Sequence, residues 1–294
     1  HNLLMIGPPG AGKSMIASRI PGILPSMTEE EAIELSAIYS VIGKLPPNGS
    51  LIRERPFRAP HHTITAKALC GGGTIPGPGE ISLAHCGVLF LDELPEFHRE
   101  TLEVLRQPLE NGSMQIHRCG YTYDFPAQFM LVAAMNPCPC GFYPNLSRCH
   151  CSYTAVRRYQ EKISMPLLDR IDMMIEVSAL SYPQWNQTTQ EMSSAQMKKK
   201  VERVREIQKE RRKGQSFLFN SRMGNQELEE YCALGTQEKK LMKKAFDELK
   251  MSARGYTKIL KVARTIADLE EKEWIQTEHL QEALCYRTGS GIYQ

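Results

Sequence analysis

Residues 3–14 read LLMIGPPGAGKS, a short apolar run that passes straight into a glycine-rich loop closed by Lys13 and Ser14. The pattern Gly-x-x-x-x-Gly-Lys-Ser is informative only when a strand precedes it and a helix follows, and here both neighbours have that character. The spacing predicts that Gly7, Pro8, Pro9, Gly10, Ala11 and Gly12 fold their backbone around phosphate oxygens at the start of a helix. Lys13 would add a point charge at the outer phosphates and Ser14 a hydroxyl for Mg²⁺. A buried strand feeding such a loop implies a largely parallel sheet covered by helices.

Two more apolar runs extend that sheet. VLFLDEL, 88–94, ends in the carboxylates of Asp92 and Glu93, and FMLVAAMN, 129–136, ends in Asn136. In a parallel sheet the carboxyl ends of the strands share one edge, so all three endings would meet the phosphates of a bound nucleotide. Asp92 would organise the Mg²⁺ shell, Glu93 would polarise the attacking water, and the Asn136 amide would hold that water or sense the γ-phosphate. ATP and Mg²⁺ are the cofactors this order of motifs predicts.

The 294 residues are enough for one large α/β domain and a smaller one. Hydrophobic residues make up 41% and charged residues 23%, and no apolar run approaches the ~20 residues of a membrane-spanning helix. The chain opens on its first strand without lead-in or signal peptide, which predicts a missing upstream segment and a cytoplasmic protein. The net charge of +3 is too small to imply nucleic acid by itself. Its distribution is uneven: 198–213, KKKVERVREIQKERRK, holds nine basic residues against three acidic ones, with Val201, Val204 and Ile207 on one helical face. A solvated linker helix is the plain reading of that run.

Thr28 with Glu31 forms a capping-box pattern that predicts a helix start. Beyond the polar stretch SYPQWNQTTQ, 181–190, strand patterns cease and helical ones follow, with caps expected at Asn225, Thr236 and Thr277 and an apolar stripe at Ile259, Val262, Ala263 and Ile266. The predicted organisation is an α/β P-loop domain over 1–185, a linker with the basic helix over 186–214, and a small all-helical lid over 215–294.

The order of these motifs, followed by LLDRID at 167–172 and SARG at 252–255, resembles the AAA+ superfamily and its magnesium-chelatase and MCM branch. RPFRAPHH, GGGTIPGPGEISLAHCGVLFLDELPEF, LRQPLENG, AMNPCPCG and PLLDRID resemble the ComM/YifB family of magnesium chelatase-like bacterial proteins, linked to DNA branch migration in natural transformation. The resemblance covers essentially the whole chain. It implies a homo-hexameric ring, an arginine finger at Arg170 offered to a neighbouring subunit, and a sensor arginine at Arg254 in the lid. For Arg170 an ion pair with Asp169 or Asp172 is the alternative, and for Arg254 an ordinary first-turn position.

Three segments remain. Residues 71–79, GGGTIPGPG, are too rich in Gly and Pro to continue a helix, and the resemblance places there a loop inserted in the second helix. MQIHRCGYTYDF, 114–125, reads as a hairpin turning near Cys119 and Gly120; His117, Arg118, Tyr121 and Tyr123 around its tip suit a DNA backbone and exposed bases, or only a solvated edge. Cys138, Cys140, Cys149 and Cys151 form two Cys-x-Cys pairs close enough to enclose one tetrahedral Zn²⁺, with free thiols or a labile disulfide as alternatives. Adjacent His61 and His62 would diverge in regular structure, which argues against a metal pair and leaves them without assigned chemistry. An ATP-driven motor on single-stranded or branched DNA, a chelatase ATPase subunit and a protein-remodelling ATPase all share such a core; the CPCG segment and basic helix favour the first.

Overall fold

The computed structural model describes residues 1–73, 76–118, 120–179, 182, 192–211 and 219–288. Residues 74 and 75 of the Gly/Pro loop, Cys119 of the hairpin turn, most of the polar boundary stretch, the end of the basic run and the last residues of the chain lie outside these. The chain divides into two compact units. One comprises Asn2–Ile171 and resumes at Glu176; the other comprises His1, Asp172–Ile175 and the segment from Thr189.

The first unit is built on the three apolar runs, now strands β1 (Leu3–Ile6), β5 (Val88–Leu91) and β8 (Met130–Met135), which are buried almost throughout. With β2 (Phe57–Arg58) they form a sheet in which the strands of this unit run in the order β2-β5-β8-β1. Ladders β1–β8, β5–β8 and β2–β5 are parallel. The register sets Ile6 opposite Met135 and Leu91 opposite Ala133, so β8 lies between the loop strand and the acidic strand with all three carboxyl ends on one edge. Chain order alone does not give that interleaving, and it opens the crevice in which ligands of such sheets bind.

Helix α1 (Lys13–Arg19) starts from Gly12, whose φ of 84° is a left-handed conformation that favours glycine. Helix α2 (Glu29–Val41) begins with the predicted capping box: the Glu31 amide donates to Thr28 Oγ1 at 3.2 Å and the Thr28 amide to Glu31 Oε2 at 3.0 Å. Between α3 (Ala66–Cys70) and α4 (Glu80–Leu83), the Gly/Pro segment forms a short antiparallel pair, β3 (Gly71–Gly72) with β4 (Gly77–Pro78). After α5 (Arg99–Glu103) and α6 (Arg106–Asn111) comes the hairpin, β6 (Ser113–Arg118) with β7 (Tyr121–Pro126). Helices α7 (Tyr153–Gln160) and α8 (Met165–Leu168) follow β8.

The second unit is helical: α9 (Ser194–Arg211), α10 (Asn225–Tyr231), α11 (Thr236–Glu248), α12 (Ala253–Leu269) and α13 (Thr277–Thr288). Ile259, Val262, Ala263 and Ile266 of α12 are all buried, as their helical spacing predicted. The expected caps at Asn225 and Thr236 fall one residue late, because Gly224 and Gly235 are the N-caps and offer no side-chain bond. The basic helix α9 packs on α12. Its Gln208 and Arg211 donate to the fully buried carboxylate of Asp268, which also accepts from Arg264 and Asn220. Arg264, itself 1% exposed, further donates to the Lys272 and Glu273 carbonyls in the segment after α12. A buried charge is tolerable when saturated in this way, and a run that reads as a solvated face thus contributes an anchor.

The fold class is the expected one, an AAA+ type α/β P-loop domain with hairpin insertions followed by an all-helical region. Among the described residues no helix is long and apolar enough to cross a membrane.

Candidate active site

At the carboxyl edge of the sheet the loop after β1 wraps the Lys13 side chain. Its Nζ donates to the Gly7 carbonyl at 2.7 Å, the Pro8 carbonyl at 2.9 Å and Asn136 Oδ1 at 3.1 Å. Burial pulls its ammonium down from the usual lysine range, while the charges of Asp92 and Glu93 push it back up. Asn136 reaches Lys13 because β8 is the neighbour of β1, a closeness tied down by the Gly7 amide bonding the Met135 carbonyl at 3.2 Å.

From β5, Asp92 accepts a short hydrogen bond from the Ser14 hydroxyl, which brings together the two oxygens expected to serve Mg²⁺. Such a pairing of a loop hydroxyl with a strand-end carboxylate is a donor set suited to a hard cation. Asp92 also accepts from the Glu93 amide at 2.9 Å. Glu93 follows in a left-handed conformation, φ 52° and ψ 45°, before the 3₁₀ turn Leu94–Glu96. Glu93 and Asn136 line a cleft of ≈ 1040 Å³ with Glu96, Tyr153, Arg157 and Lys162.

One contact in this site was not anticipated. His62 Nδ1 lies 3.2 Å from Glu93 Oε2, with the His62 ring against His61 at 4.0 Å between centroids and edge-on to Phe97 at 6.4 Å. The two histidines do not diverge as they would in a strand, because the segment after β2 is irregular there. The sequence signal was the APHH segment itself, but no spacing ties it to Glu93.

Arg170 is held by three acceptors of its own unit: the Arg106 carbonyl at 3.1 Å, the Pro166 carbonyl at 2.8 Å and, by a short bond, the Glu110 carboxylate. Only 12% of its side chain is exposed. Its ion pair is thus with Glu110, while Asp172 pairs with Lys258 inside the helical unit. Arg254 stands exposed in the first turn of α12, where Ser252 caps the helix by accepting from the Gly255 amide at 3.1 Å.

The four hairpin candidates divide between two faces. Arg118 pairs with Tyr121 and Ile116 with Tyr123, so by strand alternation Arg118, Tyr121 and Tyr123 share one face. His117 is on the other, bonded to Thr122 at 2.9 Å. Tyr121 is 70% and Tyr123 37% exposed, a large aromatic surface for a hairpin.

After β8 the four cysteines converge. Cys138 Sγ lies 3.3 Å from Cys140 Sγ and 3.8 Å from Cys149 Sγ, Cys140 lies 3.5 Å from Cys149, and all four sulfurs are within 4.8 Å of one another. Four thiolates around one Zn²⁺ at about 2.3 Å sit about 3.8 Å apart, so the donor set fits that ion. The Tyr143 amide donates to Cys138 Sγ at 3.4 Å, and the Phe142 amide pulls the Cys140 thiol down to about 6. Gly141, at φ 86°, touches the phosphate-loop side: a Cβ there would fall 2.4 Å from Pro9 Cδ. The cysteine loop therefore braces the P-loop.

Comparison with known proteins follows the same lines. Residues 1–185 match the family described as magnesium chelatase, subunit ChlI, and residues 191–287 match its C-terminal part. The competence protein ComM of Haemophilus influenzae is 48% identical over 295 residues, covering 100% of this chain and 57% of the relative. The uncharacterized protein YifB of Escherichia coli is 45% identical across 98% of this chain and 56% of its own length. An uncharacterized protein of Mycobacterium tuberculosis is 38% identical across 99% of this chain and 58% of its own. The chain thus spans somewhat over half the length of the curated relatives it matches.

Proposed function

The chain belongs to the magnesium chelatase subunit ChlI family, and on that premise we propose that it is the motor part of a cytoplasmic AAA+ ATPase that hydrolyses ATP with Mg²⁺ to move DNA. One observation carries the ATPase reading: Ser14 with Asp92, Lys13 with Asn136, and Glu93 beside them all gather at the carboxyl edge of three adjacent strands. The P-loop from Gly7 to Ser14 cradles the phosphates, Ser14 and Asp92 hold Mg²⁺, Glu93 polarises the attacking water and Asn136 orients it. Mg²⁺ supplies neutralisation of phosphate charge when bound. Cys138, Cys140, Cys149 and Cys151 hold a structural Zn²⁺; four thiolates leave it no open position for catalysis.

The motor works as a homo-hexamer in which Arg170 reaches a neighbour's nucleotide and Arg254 senses it from the lid. Arg170 then has to exchange Glu110 for phosphate, a trade open to a guanidinium because its paired N–H donors can bind two oxygens of a carboxylate or of a phosphate alike. Arg170→Ala and Lys13→Ala proteins are each expected to lose hydrolysis by about 10³-fold or more. Mixed together they should regain partial activity, since a mixed ring contains interfaces with an intact loop on one side and an intact finger on the other. No recovery in rings shown to be mixed would place Arg170 in its own subunit's site.

DNA is the favoured substrate because Arg118, Tyr121 and Tyr123 present a cation and two stacking rings on one exposed hairpin face. The relative named as a competence protein is consistent with it. Measuring hydrolysis with buffer, single-stranded DNA, branched DNA and unfolded protein tests the reading against protein remodelling and chelatase-type work. DNA should stimulate. Replacing Arg118 and Tyr121 by Ala should abolish that stimulation, spare ATP binding, and lower the salt slope of DNA affinity by about 1 for the lost phosphate contact. An unchanged slope with stimulation by unfolded protein alone would transfer the substrate to polypeptide.

A further inference from the structure

We propose that neighbouring copies of the chain trade ion pairs across the ring interface: as Arg170 of one copy leaves Glu110 for the neighbour's phosphates, that Glu110 takes Arg158 of the neighbour. This rests on the reading of Arg170 as a finger offered to another subunit. Arg170 and Glu110 line one groove of ≈ 560 Å³ with Glu103, Arg106 and Gln107. In it the Glu110 carboxylate, 52% exposed, holds the Arg170 guanidinium by a short bond. Arg106, the other cation of the groove, is taken by Glu103 at 2.8 Å. When Arg170 moves out, Glu110 loses the guanidinium it holds, and Arg106 can replace it only by giving up Glu103. A cation arriving with the neighbour removes that conflict.

The cleft that receives Arg170 carries such a cation. Glu93 and Asn136 line it at the strand ends, and Arg157, Arg158 and Lys162 line it from α7 and the turn that follows. Two of those three cations have partners in their own chain: Arg157 lies 3.4 Å from Glu161, and Lys162 lies 3.2 Å from Glu96. Arg158 is exposed, and its guanidinium meets no carboxylate, carbonyl or ring among the described residues.

The chain is thus complementary to a second copy of itself, with an unpaired guanidinium at the nucleotide edge and, at the finger groove, a carboxylate that has to give one up. Because Glu110 and Arg170 touch, the carboxylate comes to the interface wherever the finger does. A guanidinium offers two N–H donors to a carboxylate, so the new pair replaces the bond that was broken. The contact is heterologous, groove of one copy against cleft of the next, which is the kind of contact that closes into rings.

Charge reversal separates this pair from the nucleotide site. In Glu110→Arg protein every interface sets arginine against arginine, and in Arg158→Glu protein glutamate against glutamate. An equimolar mixture restores every pair when the two alternate, and a ring of six has the even number that alternation needs. Assembly is the readout, since the reversal at Glu110 also disturbs the bond of Arg170. In sedimentation velocity with Mg²⁺ and a non-hydrolysable ATP analogue, each variant alone should need about 10-fold more protein than the parent to assemble, and the mixture no more than about threefold. Each variant should bind a fluorescent ATP analogue as the parent does, which shows that it is folded. Parental assembly of either variant alone, a mixture as dispersed as its components, or loss of analogue binding in Arg158→Glu would each overturn the proposal; the last would put Arg158 in its own chain's phosphate site. Recovery in the double variant but not in the mixture would place the pair within one chain and overturn it too. If Lys13→Ala and Arg170→Ala proteins complement each other while the reversed pair does not, the finger still acts on a neighbour and only the Glu110 and Arg158 pair falls. If neither combination recovers, or the parent stays monomeric with nucleotide, the finger reading falls and the proposal with it.

Discussion

Glu93→Gln protein is expected to bind ATP with parental affinity while hydrolysing it about 10²- to 10⁴-fold more slowly. The substitution leaves the phosphate loop intact: Lys13 keeps its bonds to the Gly7 and Pro8 carbonyls and to Asn136, and Ser14 keeps Asp92. What disappears is the negative charge at the turn after β5, a charge that stabilises the proton leaving the attacking water. Its effect therefore belongs to the chemical step and not to binding. Lys13→Ala acts on the other side of the division. The buried amine fills the loop, so its removal should weaken nucleotide affinity as well as rate. Titration with a fluorescent ATP analogue and a phosphate-release assay on the same preparations separate the two cases. Parental phosphate release from Glu93→Gln would remove Glu93 from the mechanism.

Cys138→Ser is expected to take zinc content from about one per chain to near zero and to weaken ATP binding at a distance. Cys138 is fully buried at the centre of the sulfur cluster, in contact with both Cys140 and Cys149. Its loss breaks a closed four-thiolate shell, and the free energy of metal binding that holds the loop together goes with it. The loop has no independent core to replace that contribution beyond Val156 and a few half-buried rings. Nucleotide binding suffers because Gly141 of this loop packs on Pro9 and Gln160 of α7 donates to the Pro137 carbonyl at 3.1 Å, next to Asn136. Cys285→Ser, an exposed position in the helical unit, should change neither property. Metal analysis of chelator-free protein decides the matter. A parent that is folded, active and metal-free would sink the zinc assignment, and zinc loss without any change in ATP affinity would sink the coupling.

Where sequence reading reached and where it stopped follows from the range of the interactions involved. The P-loop, the capping box at Thr28 and Glu31, and the cysteine cluster are each written within a few consecutive residues, so residue type and spacing were sufficient. The apolar stripe of α12 was equally legible because helical periodicity is local. The caps at Asn225 and Thr236 were misplaced by one position, since a glycine N-cap has no side chain to announce it. The basic run was read as a solvated face, yet Gln208 and Arg211 reach a buried Asp268 that lies far along the chain.

The active site shows the same boundary more sharply. By itself the sequence determined which chemical groups stand at the ends of β1, β5 and β8, because a continuous apolar run ending in Asp-Glu or Asn is a local pattern. Only the tertiary structure decided that β8 runs between the other two, so that Asn136 meets Lys13. It also decided that Arg170 rests on Glu110, that His117 turns away from Arg118 and the tyrosines, and that His62 meets Glu93. Each of these depends on strand order, register or loop path between segments distant in sequence. Local spacing carries no information about those, because they are set by which buried faces and backbone donors can be satisfied together once the whole sheet has formed.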